Sequence, residues 1–384
     1  MQTYYSDHFF DGNNITQSVL MSVDNGIIVD IQAGKAEDAD VKLNGLVTSG
    51  FIDIQVNGGG GIMFNDIQTP KALHTIMAAH AQFGTTAMLP TLITDNHKKM
   101  HAAAEAIYQA IQHNAEGIVG IHFEGPHLSI IKKGIHSEKH IRPVSDADLA
   151  TITRKDIGKV LVTLAPENVP LDVIKELVNQ GVTVSLGHSS ADIDTVLAAI
   201  EAGAKCFTHL FNAMSGLKAR EPGMIAAALG NTNVYAGLIA DGHHVHPYNC
   251  QLAYKCLGDK RLILVTDAMA HVGSDITSIS WVDNVISKQN NRLSLADGSI
   301  AGSCISMANS VQNMTKFLGH NSLNSLNNQD NTALTNILNM ASLHPAELMN
   351  LKNRGSLSIG KRADFVLLNA ELAHQGTWIA GEEQ

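Results

Sequence analysis

Eight short apolar runs, separated by segments with helical spacing, constrain the fold of this 384-residue chain most strongly. The runs are rich in β-branched residues and lie at 50–56, 86–92, 118–123, 160–165, 182–186, 205–208, 234–240 and 262–266. Their starts are 22 to 42 residues apart, room for a strand, a helix and two connections. Helical patterns follow several of them, at 72–83, 101–112, 171–180 and 191–201. Eight such units predict an α/β fold, a (β/α)8 TIM barrel.

A doubly wound open sheet is the alternative architecture, because it is built from the same β/α units. That fold more often carries a G-x-G-x-x-G turn after its first strand. Here the first run is followed by four consecutive glycines at 58–61, which do not have that spacing. The barrel is therefore the favoured prediction.

The two ends of the chain have a different pattern from the middle. Short β-type runs at 18–23 and 26–32 are broken by turn-forming Asp, Asn and Gly, and similar runs occur at 360–368 and 377–380. Neither end can bury a core alone. We therefore expect 1–46 plus 353–384 to form a small β-sandwich domain beside a barrel domain at 47–352.

Composition excludes several classes of function. With 26 Lys+Arg against 36 Asp+Glu, the formal net charge is −10, and no basic cluster offers a surface for nucleic acid or anionic lipid. No apolar run approaches the roughly 18 residues of a membrane helix. The four cysteines lack a C-x-x-C pair, which favours a reducing compartment. We expect a soluble, cytoplasmic protein with no membrane or nucleic-acid partner.

Polar residues gather at the predicted strand ends, which line the active site of a barrel of this kind. The first strand ends with Asp53, Gln55 and Asn57, and later strands end with His122, Glu124, His127, His188, His209, Asn212, Asp241, His243, His244, His246 and Asp267. Histidines on predicted helices, such as His80, are interpreted as packing or solvated residues.

Three of these strand-end residues form a metal-ligand set. Glu124, His188 and His209 follow strands 3, 5 and 6, and two histidines with one glutamate are typical of hydrolytic zinc sites that keep a position open for water. Asp267, after the last strand, is then placed to act as a general base. Two alternatives stay open: Glu124 as the buried partner of a neighbouring cation, and Asp267 as a helix N-cap.

Five segments together resemble the N-acetylglucosamine-6-phosphate deacetylase family of the amidohydrolase superfamily. They are GFIDIQVNG at 50–58, HFEGP at 122–126, LGHS at 186–189, THLFNAM at 208–214 and LVTDA at 264–268. The resemblance spans nearly the whole chain in the same order. It implies hydrolysis of the acetamide of N-acetyl-D-glucosamine 6-phosphate to D-glucosamine 6-phosphate and acetate, in amino-sugar catabolism or recycling.

The resemblance also implies roles for individual residues. Glu124, His188 and His209 are expected to bind one divalent metal ion per subunit, with Zn²⁺ first and Fe²⁺, Co²⁺ or Mn²⁺ as alternatives. Asp267 is expected to be the catalytic acid and base. In the same way, His136 is assigned to the acetyl carbonyl, and Asn212 and Ala213 to the sugar phosphate. Arg220 and His244 are expected to reach a neighbouring active site, which implies a homodimer.

The chain departs from the wider superfamily on the first strand. A His-x-His pair usually binds a second metal there, whereas this sequence has Gln55 and Asn57. Because an amide oxygen is a weak zinc ligand, we expect a vestigial second site that is empty or weak. Three other functions stay open: an N-acetylgalactosamine-6-phosphate deacetylase, a cyclic amidase, and a sugar-phosphate sensor without turnover.

Overall fold

The computed structural model describes residues 1–282, 284–319 and 331–384. Its strands, numbered along the chain, are β1 (Gln2–Phe10), β2 (Ile15–Asp24), β3 (Ile27–Ala33), β4 (Val41–Ser49), β5 (Phe51–Val56), β6 (Gly58–Gly59), β7 (Ile62–Met63), β8 (Thr85–Ile93), β9 (Gly120–Glu124), β10 (Lys159–Leu164), β11 (Thr183–Leu186), β12 (Cys206–Phe207), β13 (Tyr235–Leu238), β14 (Leu262–Leu264), β15 (Ser278–Trp281), β16 (Asn284–Gln289), β17 (Arg292–Ser294), β18 (Phe365–Leu368), β19 (His374–Ile379) and β20 (Glu382–Glu383).

The α-helices within the described residues lie mostly between the barrel strands. They are α1 (Pro70–Ala81), α2 (His97–Gln112), α3 (Asp146–Ile152), α4 (Leu171–Asn179), α5 (Ile193–Glu201), α6 (Gly223–Gly230), α7 (Pro247–Arg261), α8 (Met307–Phe317), α9 (Thr332–Ala341) and α10 (Leu343–Leu348). None of the described helices is long and apolar enough to cross a lipid bilayer.

The predicted TIM barrel is confirmed. Eight parallel strands pair in the order β14-β13-β12-β11-β10-β9-β8-β5. The two ends of this sheet meet beyond β14, where the Asp267 N–H donates to the Gln55 carbonyl oxygen at 2.9 Å and the Asn57 N–H to that of Ala268 at 2.9 Å. These bonds nearly close the barrel and bring the first and last strand ends side by side.

The predicted small β domain built from both ends of the chain is also present. Its seven strands pair in the order β20-β19-β18-β4-β1-β2-β3. The sheet curls on itself, because the Ile28 N–H donates to the Lys361 carbonyl oxygen at 2.9 Å. Inside the curl, Phe365 stacks on Trp378 at 4.8 Å and meets Tyr4 edge-on at 5.2 Å between ring centroids.

Side-chain caps decide where several barrel helices begin. Helix α2 begins at His97 because the side chain of Asn96 accepts a hydrogen bond from the Lys99 N–H. The sequence prediction placed this start four residues later, at 101, where the apolar spacing begins. The sequence prediction also missed the antiparallel sheet β15-β16-β17, which is inserted between β14 and α8.

Candidate active site

Four predicted residues converge at the carboxyl end of the barrel. Glu124 is the last residue of β9, whereas His188, His209 and Asp267 follow β11, β12 and β14 by two or three residues. They line one pocket of about 190 Å³. Glu124, His188 and His209 are at most 5% exposed. Parallel strands that end at one rim therefore bring together residues that are far apart in the chain.

Glu124, His188 and His209 form a compact cluster of metal-ligand type. Oε1 of Glu124 lies 3.2 Å from Nε2 of His188 and 3.1 Å from Nε2 of His209. The two Nε2 atoms are 2.9 Å apart. Each residue offers one ligand atom, and these atoms lie within 4.8 Å of one another. Among the described residues, the side-chain partners of Glu124 are these two imidazoles and the Gln55 amide, and none is a Lys or Arg.

The hydrogen bonds around this cluster fit a bound divalent ion. Nδ1–H of His188 donates to the Lys132 carbonyl oxygen at 2.8 Å, which leaves a lone pair on Nε2 facing the cluster. His209 also directs Nε2 into the cluster, whereas its Nδ1 is buried without a partner among the described residues. Burial alone would raise the pKa of Glu124, but the adjacent imidazoles of His188 and His209 hold it well below its usual range. Two imidazole nitrogens and a carboxylate suit zinc and similar ions.

Asp267 lies beside this cluster and is held by two amides. Nδ2 of Asn57 donates to Oδ1 of Asp267 at 2.7 Å, and Nε2 of Gln55 donates to the same atom at 3.2 Å. Nε2 of Gln55 also donates to Oε1 of Glu124 at 3.1 Å. Because carboxylates only accept, both amides must turn their N–H groups towards them. The N–H groups of Gln55 and Asn57, rather than their amide oxygens, therefore face the two carboxylates.

The surroundings of Asp267 set its protonation. Burial first, and then the negative charge of Glu124, raise the pKa of Asp267 to about 6. No helix begins after this residue, so the N-cap alternative is wrong. A carboxylic acid with a pKa near neutrality can both accept and return a proton at physiological pH.

The backbone is strained at the residues that face the pocket. The φ angles of His188, His209, Ala213 and Asp267 are 48°, 33°, 50° and 52°, in the left-handed region that side chains rarely adopt. Each such residue costs on the order of 1–3 kcal/mol, and such residues cluster at functional sites. The turns that follow β11, β12 and β14 thus direct these side chains into the pocket at a cost in stability.

His136 enters the pocket from the long loop after β9. It is 4% exposed, and its ring centroid is 4.3 Å from that of His188. Its Nδ1 is 2.8 Å from Oγ1 of Thr94. The loop is held from behind, because the indole N–H of Trp281 donates to the Ile135 carbonyl oxygen at 3.1 Å. Burial and the neighbouring His188 hold the pKa of His136 well below its usual range, so the ring is neutral.

The residues predicted to contact the sugar phosphate fall into two groups. Asn212, Ala213 and His244 line the same pocket as the metal-ligand cluster. A hydrogen bond of 2.7 Å joins Nδ1 of His244 to the Asp241 carboxylate. His244 therefore reaches the pocket of its own chain, which differs from the expectation that it serves a neighbouring one. Arg220 lies in an exposed segment, 216–221, and does not line this pocket.

Sequence reasoning missed several residues that shape the site. Ile300 and Gly302 line the pocket, and Thr94 and Trp281 hold the loop of His136. Thr94 directly follows β8 and could have been found as a strand-end residue. Ile300 and Gly302 lie beyond β14 in a segment without strand or helix periodicity, and Trp281 ends an alternating run of only four residues, so the sequence signal was too weak to find them.

Comparisons with known proteins agree with this geometry. The Amidohydrolase family model matches residues 46–383. An N-acetylgalactosamine-6-phosphate deacetylase from Shewanella sp. (strain ANA-3) is 44% identical over 375 residues, covering 96% of this chain and 92% of the relative. An N-acetylglucosamine-6-phosphate deacetylase from Haemophilus influenzae is 32% identical over 368 residues, covering 93% of each.

The fold of a solved relative is the same along its whole length. The crystal structure of N-acetylglucosamine-6-phosphate deacetylase from Pasteurella multocida has a TM-score of 0.91 and 32% identity, and the match covers 100% of this chain and 99% of that one. On the family match and these identities, the chain belongs to the amidohydrolase family.

Proposed function

We propose that this chain hydrolyses the acetamide of an N-acetylated amino-sugar 6-phosphate, releasing acetate and the free amino-sugar phosphate. The observation that carries the proposal is one pocket in which Glu124, His188 and His209 lie against Asp267. The relatives described above, which act on such sugars, support the substrate class. We also propose that the protein is cytoplasmic, as its composition predicts.

Glu124, His188 and His209 would hold one divalent ion, with Zn²⁺ as the proposed ion and Fe²⁺, Co²⁺ or Mn²⁺ as alternatives. When bound, such an ion lowers the pKa of water towards 7 and polarises a carbonyl group. Gln55 and Asn57 present N–H groups to the neighbouring carboxylates. We therefore infer that the first-strand position binds no second ion.

Asp267 is the proposed acid and base. Its carboxylate would accept the proton of the attacking water and then deliver it to the sugar nitrogen as the C–N bond breaks. Asn57 and Gln55 orient this carboxylate through Oδ1, which leaves Oδ2 for the proton. Proton transfer of this kind contributes about 10²- to 10⁴-fold to the rate.

His136 is proposed to donate a hydrogen bond to the acetyl oxygen, where negative charge develops. A neutral ring can donate through Nε2 only if Nδ1 accepts. The Thr94 hydroxyl lies 2.8 Å from Nδ1 and donates to the Glu124 carbonyl oxygen at 3.1 Å, so the proposed tautomer requires this hydroxyl to turn its one proton to Nδ1. The indole N–H of Trp281 donates to the Ile135 carbonyl oxygen in the same loop, and this hydrogen bond holds the His136 ring in place.

The rest of the pocket wall is proposed to bind the sugar phosphate. Asn212, Ala213 and His244 lie there, and Asp241 orients the ring of His244. Arg220 is exposed and outside the pocket of its own chain. We propose that it reaches the phosphate bound by a second subunit, because its planar guanidinium can make two parallel bonds to phosphate. The functional unit is then a homodimer.

The two C4 epimers of the sugar are both candidates. The motifs resemble the glucosamine enzymes, whereas a relative at 44% identity over 96% of the chain is named for the galactosamine sugar. That identity exceeds the 32% of the Haemophilus influenzae glucosamine enzyme. We therefore propose N-acetyl-D-galactosamine 6-phosphate as the preferred substrate and N-acetyl-D-glucosamine 6-phosphate as the second candidate.

The test is release of acetate from both epimers by the metal-loaded protein, compared as kcat/KM. We expect activity on both, with a higher value for the galactosamine epimer. A higher value for the glucosamine epimer would reverse the assignment. N-acetylglucosamine without phosphate and a cyclic amide serve as controls, and hydrolysis of the cyclic amide alone would refute the proposed substrate class.

A further inference from the structure

A second, larger cavity lies beside the active-site pocket. It has a volume of about 640 Å³ and is bounded by the loops after β13 and β14, the turn between β16 and β17, and the start of α8. Its lining shares no residue with the catalytic pocket. The cavity and the catalytic pocket are adjacent at Asp241. This residue lines the cavity, and its carboxylate forms a hydrogen bond of 2.7 Å with Nδ1 of His244 in the catalytic pocket.

His271 is an unpartnered polar group in the wall of this cavity. The residue is 2% exposed, and both ring nitrogens are buried without a hydrogen-bond partner among the described residues. Burial, and then the charge of Lys288, lower the pKa of His271, so the ring is neutral with one donor and one acceptor. A buried polar group without a hydrogen-bond partner destabilises the fold, so a ligand group that pairs with His271 would offset that cost.

Two opposite charges face the same cavity. Lys288 and Asp275 both line it, and neither is in an ion pair within the part of the chain that the structure describes. The Asp241 carboxylate, in contrast, is already engaged by His244 and by the N–H groups of 243 and 244. Asn290, Asn291 and Asn309 also line the cavity. One free cation, one free anion and several amides suit a small zwitterion that carries hydroxyl groups.

We propose that this cavity binds a zwitterionic amino-sugar phosphate, at a site separate from the catalytic pocket. Lys288 binds the phosphate, Asp275 binds the ammonium group, and His271 with the amides binds hydroxyl groups. This ligand is the product of the reaction proposed above, and its identification as product rests on that function. The acetylated substrate carries no ammonium group, because its nitrogen is acylated, so the cavity discriminates product from substrate.

The test is titration calorimetry of the metal-loaded, full-length protein with glucosamine 6-phosphate and galactosamine 6-phosphate. We expect two binding events per chain for at least one of these probes. Lys288→Gln and Asp275→Asn should both weaken the same binding event, by at least tenfold, and should leave the other event unchanged. Lys98→Gln, at an exposed lysine on α2, is the matched control and should change neither event.

Glucose 6-phosphate separates the role of the ammonium group from that of the phosphate. Without an amine it should bind the cavity at least tenfold more weakly than the amino sugars. A single event in the wild type, or two events that Lys288→Gln and Asp275→Asn leave unchanged, would overturn the proposal. Acetate release is measured on the same samples: a chain that releases none but keeps the Lys288-dependent event refutes the proposed reaction and not the cavity site.

Discussion

At the scale of single residues, the site depends on which atom each polar side chain presents. Gln55 and Asn57 replace the usual His-x-His pair and donate N–H groups to Glu124 and Asp267. The sequence identified these positions and the ligand-type residues, because strand ends of a barrel share one rim. It could not indicate the left-handed φ angles of His188 and Asp267, since those depend on turns held by the assembled barrel.

Asp267→Asn tests the residue that moves the proton. The amide has nearly the same shape but cannot accept the proton of water, so turnover should fall by about 10²- to 10⁴-fold. Metal content should stay unchanged, because Glu124, His188 and His209 are intact. Acetate release and metal analysis on one preparation check both. Asp194→Asn, an exposed residue on α5, is the control, and turnover of Asp267→Asn near that of this control would remove Asp267 as the base.

His80 links stability to pH. Burial lowers the pKa of its ring from 6.5 to about 4, and its Nε2–H donates to the Gly58 carbonyl oxygen at 2.9 Å. Between pH 4 and pH 6.5 the His80 ring binds a proton in the unfolded chain but not in the folded one. The contribution of His80 to the free energy of unfolding is therefore fully present above pH 6.5 and is lost as the pH falls towards 4. The loss from this residue is about 2 kcal/mol at pH 5.

Urea unfolding at pH 7 and pH 5 checks this expectation. The free energy of unfolding should fall less between the two pH values in His80→Gln than in the wild type, because glutamine does not titrate. His122, whose pKa burial also lowers to about 4, keeps its own contribution in both proteins. An equal fall in both proteins would show that His80 does not contribute.

At the scale of elements, sequence periodicity found the eight barrel strands and missed the sheet β15-β16-β17. Residues 278–281 alternate polar and apolar side chains over only four positions, and 284–289 do not alternate, so neither segment gives a strand signal of useful length. Tertiary packing stabilises them instead. Trp281 is 7% exposed and packs in a cluster with Met63, Ile93 and Met269 of the barrel rim.

Trp281→Phe tests whether this sheet positions His136. Phenylalanine keeps an apolar ring but loses the N–H that donates to the Ile135 carbonyl oxygen. One net hydrogen bond is worth about 1 kcal/mol, so kcat/KM should fall about fivefold. Val285→Ala, at an exposed residue of the same sheet, should leave kcat/KM unchanged. If Trp281→Phe matches this control, the sheet does not position His136.

At the scale of the whole molecule, the first and last strands of the chain share a sheet, and the barrel lies between them in the sequence. The division into 1–46 plus 353–384 and 47–352 stays a proposal, and β4 continues the terminal sheet to Ser49. Sequence resemblance indicated the substrate class. The C4 epimer could not be predicted, because it depends on the pocket wall, part of which follows β14 in a segment without recognisable pattern.

Subunit mixing tests the proposed homodimer with shared sites. Arg220→Ala should raise KM strongly, and Asp267→Asn should abolish turnover. If Arg220 serves the partner's pocket, a dimer of one Arg220→Ala subunit and one Asp267→Asn subunit has one intact site. About half of the dimers in an equal mixture are of this kind, so the mixture should regain about a quarter of wild-type activity at low substrate concentration. Recovery no greater than the average of the two separate variants would place Arg220 outside the neighbouring site, as would an unchanged KM in Arg220→Ala.

The central claim is that one ion held by Glu124, His188 and His209 supports deacetylation. The most direct measurement is acetate release by chelated protein as Zn²⁺ or Fe²⁺ is added back, with bound metal counted on the same samples. The account predicts activity that rises in proportion to bound metal and stops at one ion per chain. Full activity in metal-free protein, or a requirement for two ions per chain, would contradict it.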